Sequence, residues 1–386
     1  MLGGTSLVAI GAGVTLVVVA GIFAAGVIAF LSAFRKQALE PKHDQLYPDL
    51  VVVSQDGNTV TLKTTASIGR PDWRGGEAWG LTWDDGYGKI GKVIAYDRAA
   101  RTVIREFTAV SGECQPGTAA RIDSFAFFRD PQHAHGLAFQ DVNFSSSLGN
   151  FGAWLVPAGS STWAVFVHGR DADRRESLRI LPSLQAADIN VLVIDYRNDP
   201  GCPPDPSGQH RYGLSEWEEV EAAVKYVIGS GAKRVVIVGY SMGAALALQF
   251  LRQSPHASQV AGLILDSPML DLVATMNHQI TNGRLPRALI ASLSFLIHWR
   301  FGLDMNALNS LAASSELSTP ILIIHGAEDR DIPCSLSEDL ARARPDLVTF
   351  ERFEGAAHVR SWNTDRHRYE AAVAKFLQSC HGDRSD

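Results

Sequence analysis

Ser241 stands in Gly239-Tyr240-Ser241-Met242-Gly243, and this pentapeptide is the sharpest chemical signal in the sequence. It directly follows the apolar run Val235-Val236-Ile237-Val238 and opens Ala244-Ala245-Leu246-Ala247-Leu248-Gln249-Phe250, a stretch of helix formers. A strand that feeds a helix through a serine turn lifts the hydroxyl above the sheet edge. Gly239 and Gly243 permit the tight turn and the close helix–strand approach, where a Cβ would clash. The helix N-terminus favours developing negative charge. That is the setting of a nucleophile that attacks an acyl carbon. In a plain βα turn the same five residues would do no chemistry; the flanking strand and helix distinguish the two.

A serine hydroxyl is a weak nucleophile and needs an adjacent base, itself oriented by a third group. His325-Gly326-Ala327-Glu328-Asp329-Arg330-Asp331-Ile332-Pro333 follows the run Ile321–Ile324, and Gly355-Ala356-Ala357-His358 follows Val348–Phe353. Both are loops after strands, where open sheets bind ligands. His358 is the expected base, because His367 and His381 fall on or beyond a terminal helix. Asp329 is the expected acid by its spacing from His-Gly and Ile-Pro. Glu328, Asp331 and Asp266, which ends Leu263-Ile264-Leu265-Asp266, are the alternatives. An oxyanion hole needs two backbone N–H groups aimed at the developing charge. Met242 should supply one and Arg170, in His168-Gly169-Arg170-Asp171, the other, with Gly169 allowing the approach. His168 and His325 each precede a glycine at a strand end and read as packing and loop hydrogen bonding.

These residues need a scaffold, and the pattern around them supplies one. Val142–Phe144 and Phe151–Val156 flank a hairpin turn. Then the apolar runs Trp163–His168, Asn190–Tyr196, Arg234–Tyr240, Ala261–Ser267, Pro320–Gly326 and Val348–Phe353 alternate with helical stretches near 174–187, 215–229, 242–254 and 335–343. Ser215 and Glu218 form a candidate capping box. Strands apolar on both faces, alternating with helices, predict a mostly parallel sheet covered by helices. A helix over Arg366–Gln378 closes the pattern.

The segment from about 138 to 380 resembles the α/β-hydrolase superfamily, in its serine aminopeptidase-like and prolyl-oligopeptidase-like branch. The resemblance rests on His168-Gly169, Gly239-Tyr240-Ser241-Met242-Gly243, Leu265-Asp266-Ser267-Pro268, His325-Gly326-Ala327-Glu328-Asp329 and Gly355-Ala356-Ala357-His358. It implies a serine hydrolase that cleaves an ester-like or amide-like acyl bond through an acyl-serine intermediate, a carboxylesterase first, a peptidase or thioesterase next. It implies no metal and no organic cofactor. It also implies that the insertion at about 272–319, with the apolar stretch Leu285–Trp299, forms a cap over the site. A reading of another class is a membrane-tethered binding protein with a vestigial hydrolase body.

The N-terminus departs from the ordinary composition of the rest. No charged side chain occurs from Met1 to Phe34, and Leu7–Phe34 is almost wholly apolar. About 20 apolar residues span a bilayer as a helix, so residues 1–34 are expected to be an uncleaved single-pass anchor, similar to that of anchored bacterial hydrolases. Arg35, Lys36 and Lys42 come directly after it, which places the body on the cytoplasmic side by the positive-inside tendency. Residues 35–47 read as a linker and 48–137 as a β-rich region. Its strands are Leu50–Val53, Thr59–Lys63, Lys92–Tyr96 and Val103–Phe107, broken by Asp-Gly and Gly-Gly turns. His133 and His135 read there as loop residues, not metal ligands. Residues 138–386 read as the hydrolase domain. The net charge of −6 argues against a nucleic-acid partner, leaving a small-molecule or lipid-like acyl substrate and the membrane. Four scattered cysteines (114, 202, 334 and 380) have no metal-site or disulfide-framework spacing.

Overall fold

The computed structural model describes residues 21–22, 24–42, 48–65 and 76–382. Most of the expected anchor at 1–34, namely residues 1–20 and 23, lies outside them. Among the described residues no helix is long and apolar enough to cross a membrane. Residues 24–34 are helical (α1) and run into a π-helical turn, Arg35–Leu39.

Of the expected linker at 35–47, residues 43–47 lie outside the described residues, and residues 35–42 pack against the body. Phe34 and Leu39 are buried in the main core. Main-chain hydrogen bonds hold the chain from Leu39 to Lys42 against the body: His210 N–H donates to Leu39 O at 2.8 Å and Lys42 N–H to Asp171 Oδ1 at 2.8 Å. A segment that looks polar from its charges is thus held through its backbone.

The β-rich region is a closed barrel. Its strands are β1 (Leu50–Asp56), β2 (Thr59–Thr64), β3 (Trp79–Trp83), β4 (Gly86–Asp97), β5 (Thr102–Ser111) and β6 (Ala119–Asp123), in the order β1-β2-β5-β4-β3-β6. Closure removes the free strand edges that a small sheet would otherwise expose. Alternate residues Leu50, Val52, Val60, Leu62, Val103 and Phe107 fill the interior. A short helix α2 (Pro131–His135) comes next, so the expected loop at His133 and His135 is instead a helical turn. Asp130 caps it and contacts His133 Nδ1, while His135 Nε2 meets Leu178 O. Asn363 Nδ2 donates to Ala78 O and Ser124 O, pinning the barrel to the larger body.

That body is an eight-stranded sheet: β7 (Gln140–Ser146), β8 (Gly149–Val156), β9 (Thr162–Val167), β10 (Asn190–Ile194), β11 (Arg234–Tyr240), β12 (Val260–Asp266), β13 (Ile321–Gly326) and β14 (Val348–Phe353), in the order β14-β13-β12-β11-β9-β10-β8-β7. Antiparallel pairing is confined to β10 with β8 and β8 with β7. β9, β10 and β13 are buried at every residue, as a sheet covered on both faces requires. The chain leaves β9 to one side for β10 and to the other for β11. This reversal opens a crevice beyond the carboxyl ends of β9 and β11, where such sheets bind ligands.

The helices are α3 (Leu181–Ala186), α4 (Trp217–Gly229), α5 (Met242–Gln253), α6 (Leu272–Thr281), α7 (Arg287–Phe301), α8 (Ser335–Ala343), α9 (Ser361–Thr364) and α10 (Arg366–Gly382). The capping box does not form. Ser215 Oγ donates to Asp205 and Glu218 accepts from Arg197, because buried Arg197 gathers the nearby carboxylates. The inserted segment divides. α6 reaches the crevice, whereas α7 leaves Leu289, Phe295 and Trp299 exposed and buries only Ile297.

Candidate active site

Ser241 lies between β11 and α5, with φ 52° and ψ −112°. A non-glycine residue held there stores strain of about 1–3 kcal/mol, which the packing around it must over-determine. The packing does so. A Cβ on Gly239 would lie 2.7 Å from Ala244 Cα, and one on Gly243 2.2 Å from Val167 O. Both glycines are therefore required for α5 to sit against β9 and β11.

Three side chains meet at the crevice. Ser241 Oγ lies 2.8 Å from His358 Nε2, and His358 Nδ1 lies 2.7 Å from Asp329 Oδ2. Asp329 has a complete set of donors. Oδ1 accepts the N–H groups of Asp331 and Ile332, and Oδ2 also faces His325 Nε2 at 3.0 Å. Burial alone would raise the Asp329 carboxyl. Hydrogen bonds from His325 and His358, and their charges, outweigh it and hold the group well below the usual carboxylate range. An ionised Asp329 is an acceptor only, so the proton of neutral His358 resides on Nδ1. Nε2 is left free to accept from the serine.

Asp266 is not in this relay. Burial raises its carboxyl to about 6, and it accepts from Ser267 Oγ, which in turn accepts from Val359 N–H. It supports the histidine loop from one residue away. Asp331 gives its backbone N–H to Asp329 while its own side chain is exposed. Glu328 contributes a backbone bond to Ala356 O.

Met242 opens α5, so its N–H has no acceptor within the helix. Arg170 follows Gly169 in the neighbouring loop, and Gly169 lies close enough that its Cβ would sit 3.3 Å from Ser241 Cβ. That loop is held from several sides. Gly169 N–H donates to Glu176 Oε2 at 2.8 Å, and Gly169 O receives His168 Nδ1 and the Tyr196 hydroxyl. His168 faces Asp199 with its other nitrogen. Burial would lower its pKa, but Asp199 and Gly169 O raise it to about 9.

Several residues at the site carry no sequence signal. Buried Arg179 joins the two loops, bonding Val359 O and Asn363 on one side and Glu176 on the other. His325 is a second donor to Asp329. Its spacing of four residues is visible in the sequence, but the loop geometry that makes it a contact is not. Arg121, Ser124 and Phe125 of the barrel side and Phe30 and Phe34 of α1 reach cavities that contain Ser241.

Among the described residues, two groups could be imagined to hold a metal: His168, Asp195 and Asp199, and Asp329, Asp331 and His358. In both, each histidine nitrogen already has a protein partner. A metal would have to displace those bonds.

A base at His358 must be neutral to accept a proton, so activity that depends on that base is expected to fall as pH falls through its pKa. Burial opposes the charged form, but the bond to Asp329 and the charges of Asp329 and Asp331 win over burial and Arg360, raising the pKa above the ordinary 6.5. The acid limb of kcat/KM for a non-titrating ester should have its midpoint above 6.5, and Asp331→Asn should move it down. A midpoint below 6.5, or an upward move, would contradict this electrostatic account.

Residues 164–374 match the model of the Alpha/beta hydrolase family, and residues 51–123 match Domain of unknown function DUF8805. The uncharacterized protein YqkD of Bacillus subtilis is 25% identical over 233 residues, covering 59% of this chain and 75% of the relative. The uncharacterized YfhR of Salmonella typhimurium is 24% identical over 301 residues, 72% of this chain and 89% of its own. The solved structure of the Pyrococcus furiosus esterase Pf2001 is similar in fold, with TM-score 0.52 and 19% identity over 66% of this chain and 96% of that one. A family match that begins in β9, runs through the Ser241 turn and both later loops, and ends in α10 covers more than half of the chain, and the protein belongs to the alpha/beta hydrolase family.

Proposed function

We propose that this hydrolase is a serine carboxylesterase in which Ser241 attacks, His358 moves the proton and Asp329 fixes the imidazole. The observation that carries the proposal is the relay Ser241 Oγ–His358 Nε2 at 2.8 Å and His358 Nδ1–Asp329 Oδ2 at 2.7 Å, on a serine with positive φ. Ser241 Oγ bonds to the acyl carbon as its proton passes to His358 Nε2. The carbonyl oxygen takes the electron pair and faces the N–H groups of Met242 and Arg170. The C–O bond to the alcohol then breaks, and His358 returns the proton to the leaving oxygen. Water repeats the sequence on the acyl-serine and releases the acid. The esterase named for the Pyrococcus fold relative favours an ester over an amide.

The motifs that resemble the serine aminopeptidase-like and prolyl-oligopeptidase-like branch keep peptide and thioester bonds as the competing substrates. Purified full-length protein offered matched acyl esters, thioesters and aminoacyl amides should accelerate the ester most over its uncatalysed hydrolysis. A larger acceleration of the amide would make it a peptidase instead.

The uncharged run at 7–34 supports an uncleaved membrane tether, and Arg35, Lys36 and Lys42 beyond it support a cytoplasmic body. The chain should stay with membranes through carbonate washing; release into the wash would contradict the tether.

A further inference from the structure

Two cavities meet at Ser241, sharing only Arg170, Ser241 and His358. One, of ≈ 260 Å³, lies between the barrel and the sheet and carries the charged groups Arg121, Asp123, Asp173, Arg175 and Arg360 beside apolar Leu50, Trp79 and Phe125. The other, of ≈ 470 Å³, has Gln37, Gln279 and Asp331 in its lining but draws an apolar wall from two helices, with Phe30, Ala33 and Phe34 from α1 and Leu272, Met276 and Ile280 from α6. Its volume is that of a small-ligand site.

The α1 wall is built in, not draped. Phe34 packs on Phe30 and Phe301, with ring centroids 6.3 and 6.0 Å away. Ala38 O accepts from the Tyr212 hydroxyl at 2.6 Å and from Arg170 Nη1 at 3.1 Å. The end of α1 is thereby clamped to the residue whose N–H faces the reacting carbonyl. The other end of α1 leads away along apolar surface. Ala24, Val27 and Ile28 line a second groove with Phe295 and Leu296 of α7. Ile22, Ile28, Phe295 and Trp299 are each about two-thirds exposed or more, at 68%, 67%, 67% and 71%. Contiguous exposed apolar surface of this kind marks contact with a membrane or partner. It is continuous here with the uncharged run that ends at Phe34.

We infer that the cavity between α1 and α6 is an acyl-chain subsite and that α1 is its specificity-determining wall, so that the substrate is a long-chain acyl ester taken from a lipid surface. This rests on the esterase reading above. An acyl chain placed in the charged cavity would strip water from its ions without replacing the lost hydrogen bonds. The charged cavity is left for the alcohol portion and for the water that attacks the acyl-serine. The Ser241–acyl bond forms first, the ester C–O bond then breaks as the carbonyl re-forms, and the alcohol leaves with the proton from His358.

The test uses full-length protein in non-ionic micelles with p-nitrophenyl esters from acetyl to palmitoyl. Wild-type kcat/KM should rise about fourfold per methylene over several carbons before the cavity fills. Ala33→Trp, which fills the cavity, should cut the dodecanoyl-to-butanoyl ratio at least tenfold. Ile280→Ala, which enlarges it, should move the optimum to longer chains and carries the test if Ala33→Trp does not fold. Ile94→Ala, on the exposed outer face of the barrel and away from both cavities and the α7 groove, should leave the ratio within twofold. A flat wild-type profile, or ratios unchanged in both cavity variants, would overturn the subsite. No turnover of any ester by wild type would instead overturn the esterase reading, and ester turnover that survives Ser241→Ala would overturn its serine mechanism, so these failures are distinguishable from that of the subsite.

Discussion

Ser241→Ala and His358→Ala should each lower kcat on any accepted ester by ~10⁴–10⁶-fold while leaving the fold intact. The size comes from the arrangement. His358 Nε2 is 2.8 Å from Ser241 Oγ, so base and nucleophile share one proton and the loss of either disables the other. Members of such a relay act as a unit, so the double variant should be hardly worse than either single one. The fold should tolerate the serine change well. Ser241 Oγ contributes one bond to His358, and alanine keeps the Cβ that the turn already accommodates. Alanine at positive φ is strained, but the serine it replaces has the same strain. Unfolding midpoints within a few degrees of wild type, with turnover at background, are the expected pair of results. Near-normal turnover by either variant would remove both residues from the chemistry.

Asp329→Asn should cost roughly 10⁴-fold in kcat, because an amide at that position can donate to the imidazole and favours the wrong tautomer. The same substitution at Asp266 should be milder. Asp266 touches Ser267, not His358, so an amide there leaves the imidazole tautomer unchanged. Asp329 also binds His325 and two backbone N–H groups, so its replacement disturbs the loop as well as the tautomer. Steady-state kinetics on a single ester separates the two sites. Greater damage from Asp266→Asn than from Asp329→Asn would move the acid to the end of β12.

How far each contact reaches along the chain decides whether the sequence reveals it. The turn at Ser241 is legible because its strand, glycines and helix are contiguous, and β11 and α5 are observed where the apolar pattern puts them. The parallel strands are legible because burial on both faces leaves unbroken apolar runs. The barrel's closure is not, since β3 and β6 are short and their pairing joins distant segments. The role of α1 is hidden for a similar reason. It is held at Ala38 and Leu39 by their carbonyl oxygens, and a carbonyl carries no residue signature. The capping box at Ser215 is outcompeted by long-range charge: Arg197 draws Glu218, and Asp205 takes the serine hydroxyl. Leu285–Trp299 suggests a helix packed around the site because it is apolar on all sides. In the fold α7 turns much of that surface outward, and α6, which has the plainer sequence, lines the crevice instead.

The proposed nucleophilicity of Ser241 can be read directly. Full-length protein treated with a fluorophosphonate should gain the mass of one adduct, and fragmentation should place it on the peptide that contains Gly239-Tyr240-Ser241-Met242-Gly243. Ser241→Ala should gain none, and His358→Ala should label at a small fraction of the wild-type rate. An adduct on a different residue, or equal labelling of wild type and Ser241→Ala, would contradict the assignment of Ser241 as the nucleophile.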